Sequence, residues 1–535
     1  MEKREFGNFV KKYYLTVLGT LYFFYIFYCA PPTGDRMMDG VLYYDLGDPW
    51  INIFGQVRWI QGANARVLSN IFSSIVDRNI LIHACINALM VCGVVLLLKS
   101  ILKNIYEKEI SKCVEVLMWC SLCLVSWSIK KEVYFYATTL YISSILILLM
   151  IIYIIQEQVK NSKCKNAYIY FCILAGSMWL ENITVMIVSF LFAQLVCDSF
   201  KRKKLSRVLF VDLCVSIIGL LVMYLSSKFA TQGRLSSGTT IHLSRSRIME
   251  LIYDNVGLFI IFSGGMLLLV IINCTREQNR KLINFVLCMY WGGILISLMM
   301  WGSKHIYDII SGGTNKDYAS DVIGWRNFAY DNIEQLYTKI EYVIKFLLPI
   351  ILLFAVVSSI YIFYRYSRLM ESIYIYILIF SGLAIDIFSI QKGARISWPG
   401  IFGLIILISF TFCEIEQYCE TKANEKINGV KKVMVFLVGI FSLIYIDQTF
   451  VVIHNANNVA KERWKIAEEI KLQQSTSKWD MDTIVYFPKY DTRDSENSYC
   501  EEGGNPTLES NYIRYKLLLK YYGLDDNTII DYRDN

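Results

Sequence analysis

Five aspartates, Asp35, Asp39, Asp45, Asp48 and Asp77, fall within residues 31–79 beside Arg36, Arg58, Arg66 and Arg78. A carboxylate whose pKa is raised by partial burial can serve as a general base and take the proton from a hydroxyl. The same residue type also makes turns and caps helices, and Asp48-Pro49 is a turn-initiating pair. Arginines recur further along at Arg234, Arg245, Arg247 and Arg326, and Lys392 stands with Arg395 in QKGARISWPG. The guanidinium fork matches a phosphate bidentately, which suggests an anionic ligand. Anchoring to lipid headgroups, or pairing with an acidic segment, would use the same residues. Glu181 and Asn182 interrupt the long apolar run 167–199. An ionisable residue at such a place is either a functional group or half of a polar turn. Asp212, Asp386 and Asp447 also lie in apolar segments. Asp386 is within reach of Lys392 and Arg395, and Asp212 reads as interfacial.

Other chemistries lack their residues. The four histidines are far apart and show no HxxxH spacing, so zinc has no support. The chain contains no GxxxxGK[ST] phosphate loop, and Gly312-Gly313 and Gly503-Gly504 have no phosphate-cradling helix after them. A nucleic-acid partner would need a basic soluble face with interleaved aromatics, and none is present.

The elements that must position these residues are apolar helices. Of 535 residues, 55% are apolar and 19% charged, against about 25% charged in ordinary soluble domains. Fourteen of the fifteen cysteines lie in or beside apolar runs, which excludes a secreted disulfide scaffold. A membrane crossing takes about 20 residues. By that rule about thirteen spans are expected, near 13–30, 80–98, 113–129, 134–155, 167–180, 183–199, 208–228, 253–273, 282–301, 344–364, 372–390, 400–418 and 433–453. The first is long and aromatic and has no small-x-small cleavage site, so it reads as a span and not a cleaved signal.

The run 167–199 decides the topology. As one helix it would be about 50 Å long, too much for a single crossing. Two helices meeting at Glu181-Asn182 leave the basic cluster Lys201, Arg202, Lys203, Lys204 and Arg207 on the same side as the other basic short loops. The positive-inside tendency makes that side cytoplasmic, with the N-terminus inside and the C-terminus outside a multi-pass plasma-membrane protein. Residues 1–453 form the transmembrane domain, with a long first outer loop at 31–79 and further outer loops at 229–252 and 302–340. Residues 454–535 form a small extracytoplasmic α/β appendage, from an amphipathic segment (Trp464, Ala467, Ile470) to strand-like runs at 483–488 and 527–530. Residues 461–535 carry a net charge of −4 and the rest of the chain +11, which suits contact with anionic membrane lipids.

This layout resembles bacterial GT-C-type glycosyltransferases that modify O-antigen and cell-surface polysaccharides. The echoes are the acidic stretch Asp35 to Asp48, the pattern from Arg58-Trp59 through Arg66 to Ser69-Asn70, the Glu181-Asn182 turn, the loop TQGRLSSG at 231–238, and KERWKIAEEI leading to a strand ending in Phe487-Pro488. The resemblance implies an all-α, GT-C-like polytopic protein that moves a sugar from a polyprenyl-phosphate donor to an outer-face glycan or lipid-linked acceptor. It places the base on Asp35, Asp39 or Asp48. Many relatives carry adjacent acidic residues after the first span, where this chain has GDRMMDG. Arg58, Arg66, Glu181, Asn182, Arg234, Arg326, Lys392 and Arg395 are the expected donor- and phosphate-binding residues. No cofactor is firmly implied, and a divalent metal stays open. The alternatives are a polymerase or ligase using a polyprenyl-diphosphate oligosaccharide, and a flippase-type transporter, which would want charges along the span interiors.

Overall fold

The computed structural model describes residues 2–31, 67–77, 79–136, 138–161, 167–203, 205–229, 251–252, 254–276, 280–310, 350–388, 394–422, 425–475, 484–488, 518–519, 522, 524–525 and 528–533. Its helices in chain order are α1 (Glu2–Cys29), α2 (Val67–Val76), α3 (Ile80–Tyr106), α4 (Lys112–Cys123) and α5 (Trp127–Lys130), which runs into a π-helical turn (Lys131–Tyr136). They continue as α6 (Thr138–Asn161), α7 (Ala167–Gly176), α8 (Glu181–Arg202), α9 (Arg207–Phe229), α10 (Val256–Arg276) and α11 (Lys281–Ile310). The last four are α12 (Ile350–Arg365), α13 (Leu369–Phe388), α14 (Ala394–Lys422) and α15 (Glu425–Ser475).

Seven of the described helices are long and apolar enough to cross a membrane: α3, α6, α8, α10, α11, α14 and α15. Shorter apolar helices lie at Tyr13–Cys29, Ile350–Arg365 and Leu369–Ala384. The molecule is a mostly helical, multi-pass membrane protein. Consecutive helices run up and down, so α2, the α7–α8 turn and the starts of α3 and α6 share one end of the bundle, here called the loop-31–79 end. The core sits around α14, whose apolar stretch is entirely buried. It is flanked by α13, α10 and α8, while α11 and α15 turn most of their apolar surface outward. In lipid such outward apolar faces cost nothing, and packing between helices rests on close fit. Gly382 of α13 and Gly400 of α14 supply that fit. A Cβ on Gly382 would lie 2.7 Å from the Gly400 nitrogen.

Chain breaks between helices follow local chemistry. Asn79 caps α3, its Oδ1 accepting from the backbone N–H of Leu81 (2.8 Å) and Ile82 (3.3 Å). At the opposite end α3 and α8 stop at Glu107 and Lys203, both in the left-handed region, and Ser367 between α12 and α13 has φ 60°. That end also carries ion pairs. Glu115 receives Lys99 (2.8 Å), Lys112 (3.1 Å) and the Thr16 hydroxyl (2.9 Å). Lys431 meets Glu416 at 3.0 Å, and Arg368 lies over the Tyr106 ring, 3.7 Å from Glu414.

The run 167–199 is two helices, as its length requires. The turn occupies 177–180, so Glu181 and Asn182 open α8 and do not form the turn themselves. The stretch read as a span at 113–129 is shorter and broken. Helix α4 ends at Cys123, and α5 and the π turn fill the gap before α6.

Helix α15 runs unbroken for 51 residues through position 453, about 76 Å at 1.5 Å per residue. Its far end forms a second core. Ala467 and Ile470 pack with Val485, Phe487, Leu518, Leu519, Tyr522, Leu524 and Ile530. Strands β1 (Ile484–Pro488) and β2 (Ile529–Arg533) pair in parallel, Ile484 opposite Ile529. Arg463 is fully buried there, donating from Nε to the Pro488 carbonyl at 2.8 Å and stacking on Tyr532.

Candidate functional site

The loop-31–79 end of the bundle gathers a connected set of polar side chains from α2, α3 and α6. The caps explain how. Asn79 starts α3 two residues after Asp77, so His83 falls on the first turn of the helix and points back at the chain entering it. His83 Nδ1 lies 2.6 Å from Asp77 Oδ1, and since the carboxylate can only accept, Nδ1 carries the proton. Thr139, on the first turn of α6, donates to the same Oδ1 at 2.6 Å. Asn87, one turn deeper than His83, donates from Nδ2 to Thr139 Oγ1 (3.0 Å) and to the His83 carbonyl (2.9 Å). The donor chain therefore runs from Asn87 to Thr139 to Asp77, with His83 closing on the same oxygen. Asp77 Oδ2 accepts no hydrogen bond among the described residues, and Asn87 Oδ1 is buried without a partner.

Neighbouring elements wall this network. Phe27 of α1 meets the His83 ring edge-on, and Tyr134 of the π turn stands between Phe27 and Trp398 of α14. Trp179, in the α7–α8 turn, accepts at its carbonyl from Ser69 of α2 (2.8 Å) and donates from its indole to Ser143 of α6 (3.0 Å). Its ring packs on Phe72. The return of the first loop and the turn before Glu181 are thus docked together. Glu181 sits in the first turn of α8, where a carboxylate favours the positive end of the helix dipole, and Asn182 is buried.

The other sequence-expected residues are not brought into this picture. Asp35, Asp39, Asp48, Arg58, Arg66, Arg234, Arg326 and Lys392 lie outside the described residues. Arg395 is in the first turn of α14, with its side chain outside them as well. Nor are Asp386's expected partners seen, since its side chain is also outside. Asp212, in the second turn of α9, is fully buried among the helices, and neither carboxylate oxygen has a partner among the described residues.

Two features went unread in the sequence. His83 was set aside for lacking a zinc spacing, although Asp77-Arg78-Asn79 before an apolar run is a cap signal that predicts an Asp–His meeting. Lys130 and Lys131 stand on the side expected to be outer, against the positive-inside tendency. Lys130 is buried, its ammonium 3.3 Å from Thr449 Oγ1 and 5.2 Å over the Tyr445 ring, with no carboxylate partner among the described residues. It precedes the π turn, a distortion frequent at functional sites. Cys120 and Cys123 stand at C-x-x-C spacing in α4 but are free thiols, and among the described residues no group of three ligands could hold a metal.

Fold and site together define a polytopic membrane protein with a buried polar network at one end of its bundle. No family model, curated protein or solved structure matches the chain.

Proposed function

We propose that the protein is a membrane glycosyltransferase. It moves a sugar from a polyprenyl-phosphate donor to a cell-surface glycan or lipid-linked acceptor, on the outer face of the plasma membrane. The N-terminus is cytoplasmic and the C-terminal appendage extracytoplasmic. An aspartate of the first outer loop acts as base, the resemblance pointing to Asp35, Asp39 and Asp48. Arginines and lysines of the outer loops hold the donor phosphate and stabilise it as it leaves. The observation that carries this reading is the Asp77–His83–Thr139 network. A carboxylate is held in place by two donors where residues 31–79, the segment that carries the three candidate aspartates, lead back into the bundle.

A second reading has an observation of its own. Lys130 and Asp212 are ionisable residues buried in the bundle with no counter-ion among the described residues, as a flippase-type transporter would place along its path. The test separates the two. The purified protein is reconstituted with synthetic decaprenyl-phosphate glucose, galactose or mannose and supplied with glycan extracted from its host. Release of decaprenyl phosphate with labelling of the glycan is the expected result. Movement of intact donor between leaflets without bond cleavage would replace the transferase with the transporter.

A further inference from the structure

We propose that the end of the bundle opposite the Asp77 network binds the phosphate of an anionic phospholipid, whose acyl chains lie along the seam between α11 and α12. The proposal rests on the membrane reading of the fold and not on the chemistry proposed above. Its centre is the Tyr361 hydroxyl, one turn before the end of α12. Arg280, the residue before α11, donates to it from Nη1 at 3.1 Å. Arg365, one turn further along α12, donates from its own Nη1 at 3.1 Å. With both lone pairs taken, the hydroxyl still has its own proton to give, and no acceptor for it lies among the described residues.

Two guanidinium groups and a hydroxyl, all of them donors, thus converge on one point. Sharing one oxygen puts the two Nη1 atoms no more than about 6 Å apart, where the two cations repel. A neutral phenol offsets little of that repulsion, whereas an anion offsets most of it. A phosphate there accepts charge-assisted bonds of about 2.7–2.9 Å from both guanidinium forks, and a further bond from the Tyr361 hydroxyl. The Arg365 guanidinium also lies 5.9 Å over the Tyr361 ring, which holds it beside the hydroxyl.

The position of the cluster and its surroundings select a lipid over a free anion. Arg280 and Arg365 stand where α11 begins and α12 ends, the level at which the headgroups of a surrounding bilayer lie. Away from that end the two helices stay in contact. The Tyr290 hydroxyl of α11 donates to the Ile351 carbonyl at 2.6 Å, and its ring meets Phe354 edge-on at 4.5 Å. Ile283 and Val286, on the Tyr290 face of α11, are exposed, as is Val357 between Phe354 and Tyr361 on α12. Apolar side chains running away from a cationic cluster match a headgroup followed by its acyl chains. The net charge of +11 outside residues 461–535 favours an anionic headgroup over a zwitterionic one.

The experiment is native mass spectrometry of the full-length protein in detergent, titrated with phosphatidylglycerol or with phosphatidylcholine of the same acyl chains. The wild type is expected to bind phosphatidylglycerol at least about tenfold more tightly. Arg280→Gln should weaken that binding about fivefold, the usual worth of one cation beside an anionic headgroup. Adding Arg365→Gln should erase most of the preference. Arg280 is exposed, so the single variant decides should the double variant fail to insert. Lys432→Gln, which removes an exposed cation of α15 at the same end, should leave binding unchanged. No preference in the wild type, an undiminished preference in Arg280→Gln, or an equal loss in Lys432→Gln overturns the site. Displacement of bound phosphatidylglycerol by inorganic phosphate overturns the lipid and assigns the cluster to the free anion.

Discussion

Lys130 and Asp212 are the most exposed to test as single residues, because burial makes opposite demands on a structural and a functional charge. A charge held in a packed interior without a counter-ion lowers stability. If Lys130 is kept for function, Lys130→Met should raise the thermal unfolding midpoint in detergent by a few degrees, equivalent to about 1–3 kcal/mol, while lowering turnover. A lower midpoint would make its contacts with Thr449 and Tyr445 structural. Asp212 is treated likewise. Its two unpartnered oxygens predict that Asp212→Ala is neutral or stabilising by about 1 kcal/mol in the same measurement. At this scale the sequence was partly legible. The cluster of acidic residues pointed to the first loop. It could not show that Asp77 meets Thr139, because a contact across 62 positions depends on how α2 and α6 pack.

Between helices, the close approach of α13 and α14 is set by glycine on both sides. Gly382→Ala would press a Cβ onto the Gly400 backbone and is expected to destabilise the bundle by about 2 kcal/mol or more, read as lost monodisperse protein after mild heating. The turn between α12 and α13 offers the reverse change. Ser367 occupies a left-handed conformation that costs a side-chain-bearing residue about 1 kcal/mol, so Ser367→Gly should raise the unfolding midpoint. Helix existence was readable from apolar run length, and the split of 167–199 followed from bilayer thickness alone. The short α4, α5 and the π turn were not readable, because an apolar run looks the same whether it is one helix or several. The parallel pairing of β1 with β2 was legible only as two strand-like runs, since register depends on the core that Ala467 and Ile470 bring to them.

Over the whole molecule, α15 ties the membrane part to the appendage. At about 76 Å it exceeds a hydrocarbon core of about 30 Å by more than twofold, so its last turns stand clear of the bilayer. The proposed topology puts that end outside. A membrane-impermeant maleimide should therefore label Cys500, which stands in a polar stretch, on intact cells in a Cys164→Ser variant that removes the other cysteine flanked by polar residues. Labelling only after permeabilisation would invert the orientation and move the Asp77 network to the cytoplasmic side.

The central claim is that this bundle handles a sugar carried on a polyprenyl monophosphate. Mass spectrometry of lipids that copurify with the detergent-extracted protein from its host tests it most directly. A polyprenyl monophosphate bearing one sugar is the predicted result, and it would name the sugar. A polyprenyl diphosphate oligosaccharide in its place would contradict the claim and assign the protein to polymerase or ligase chemistry.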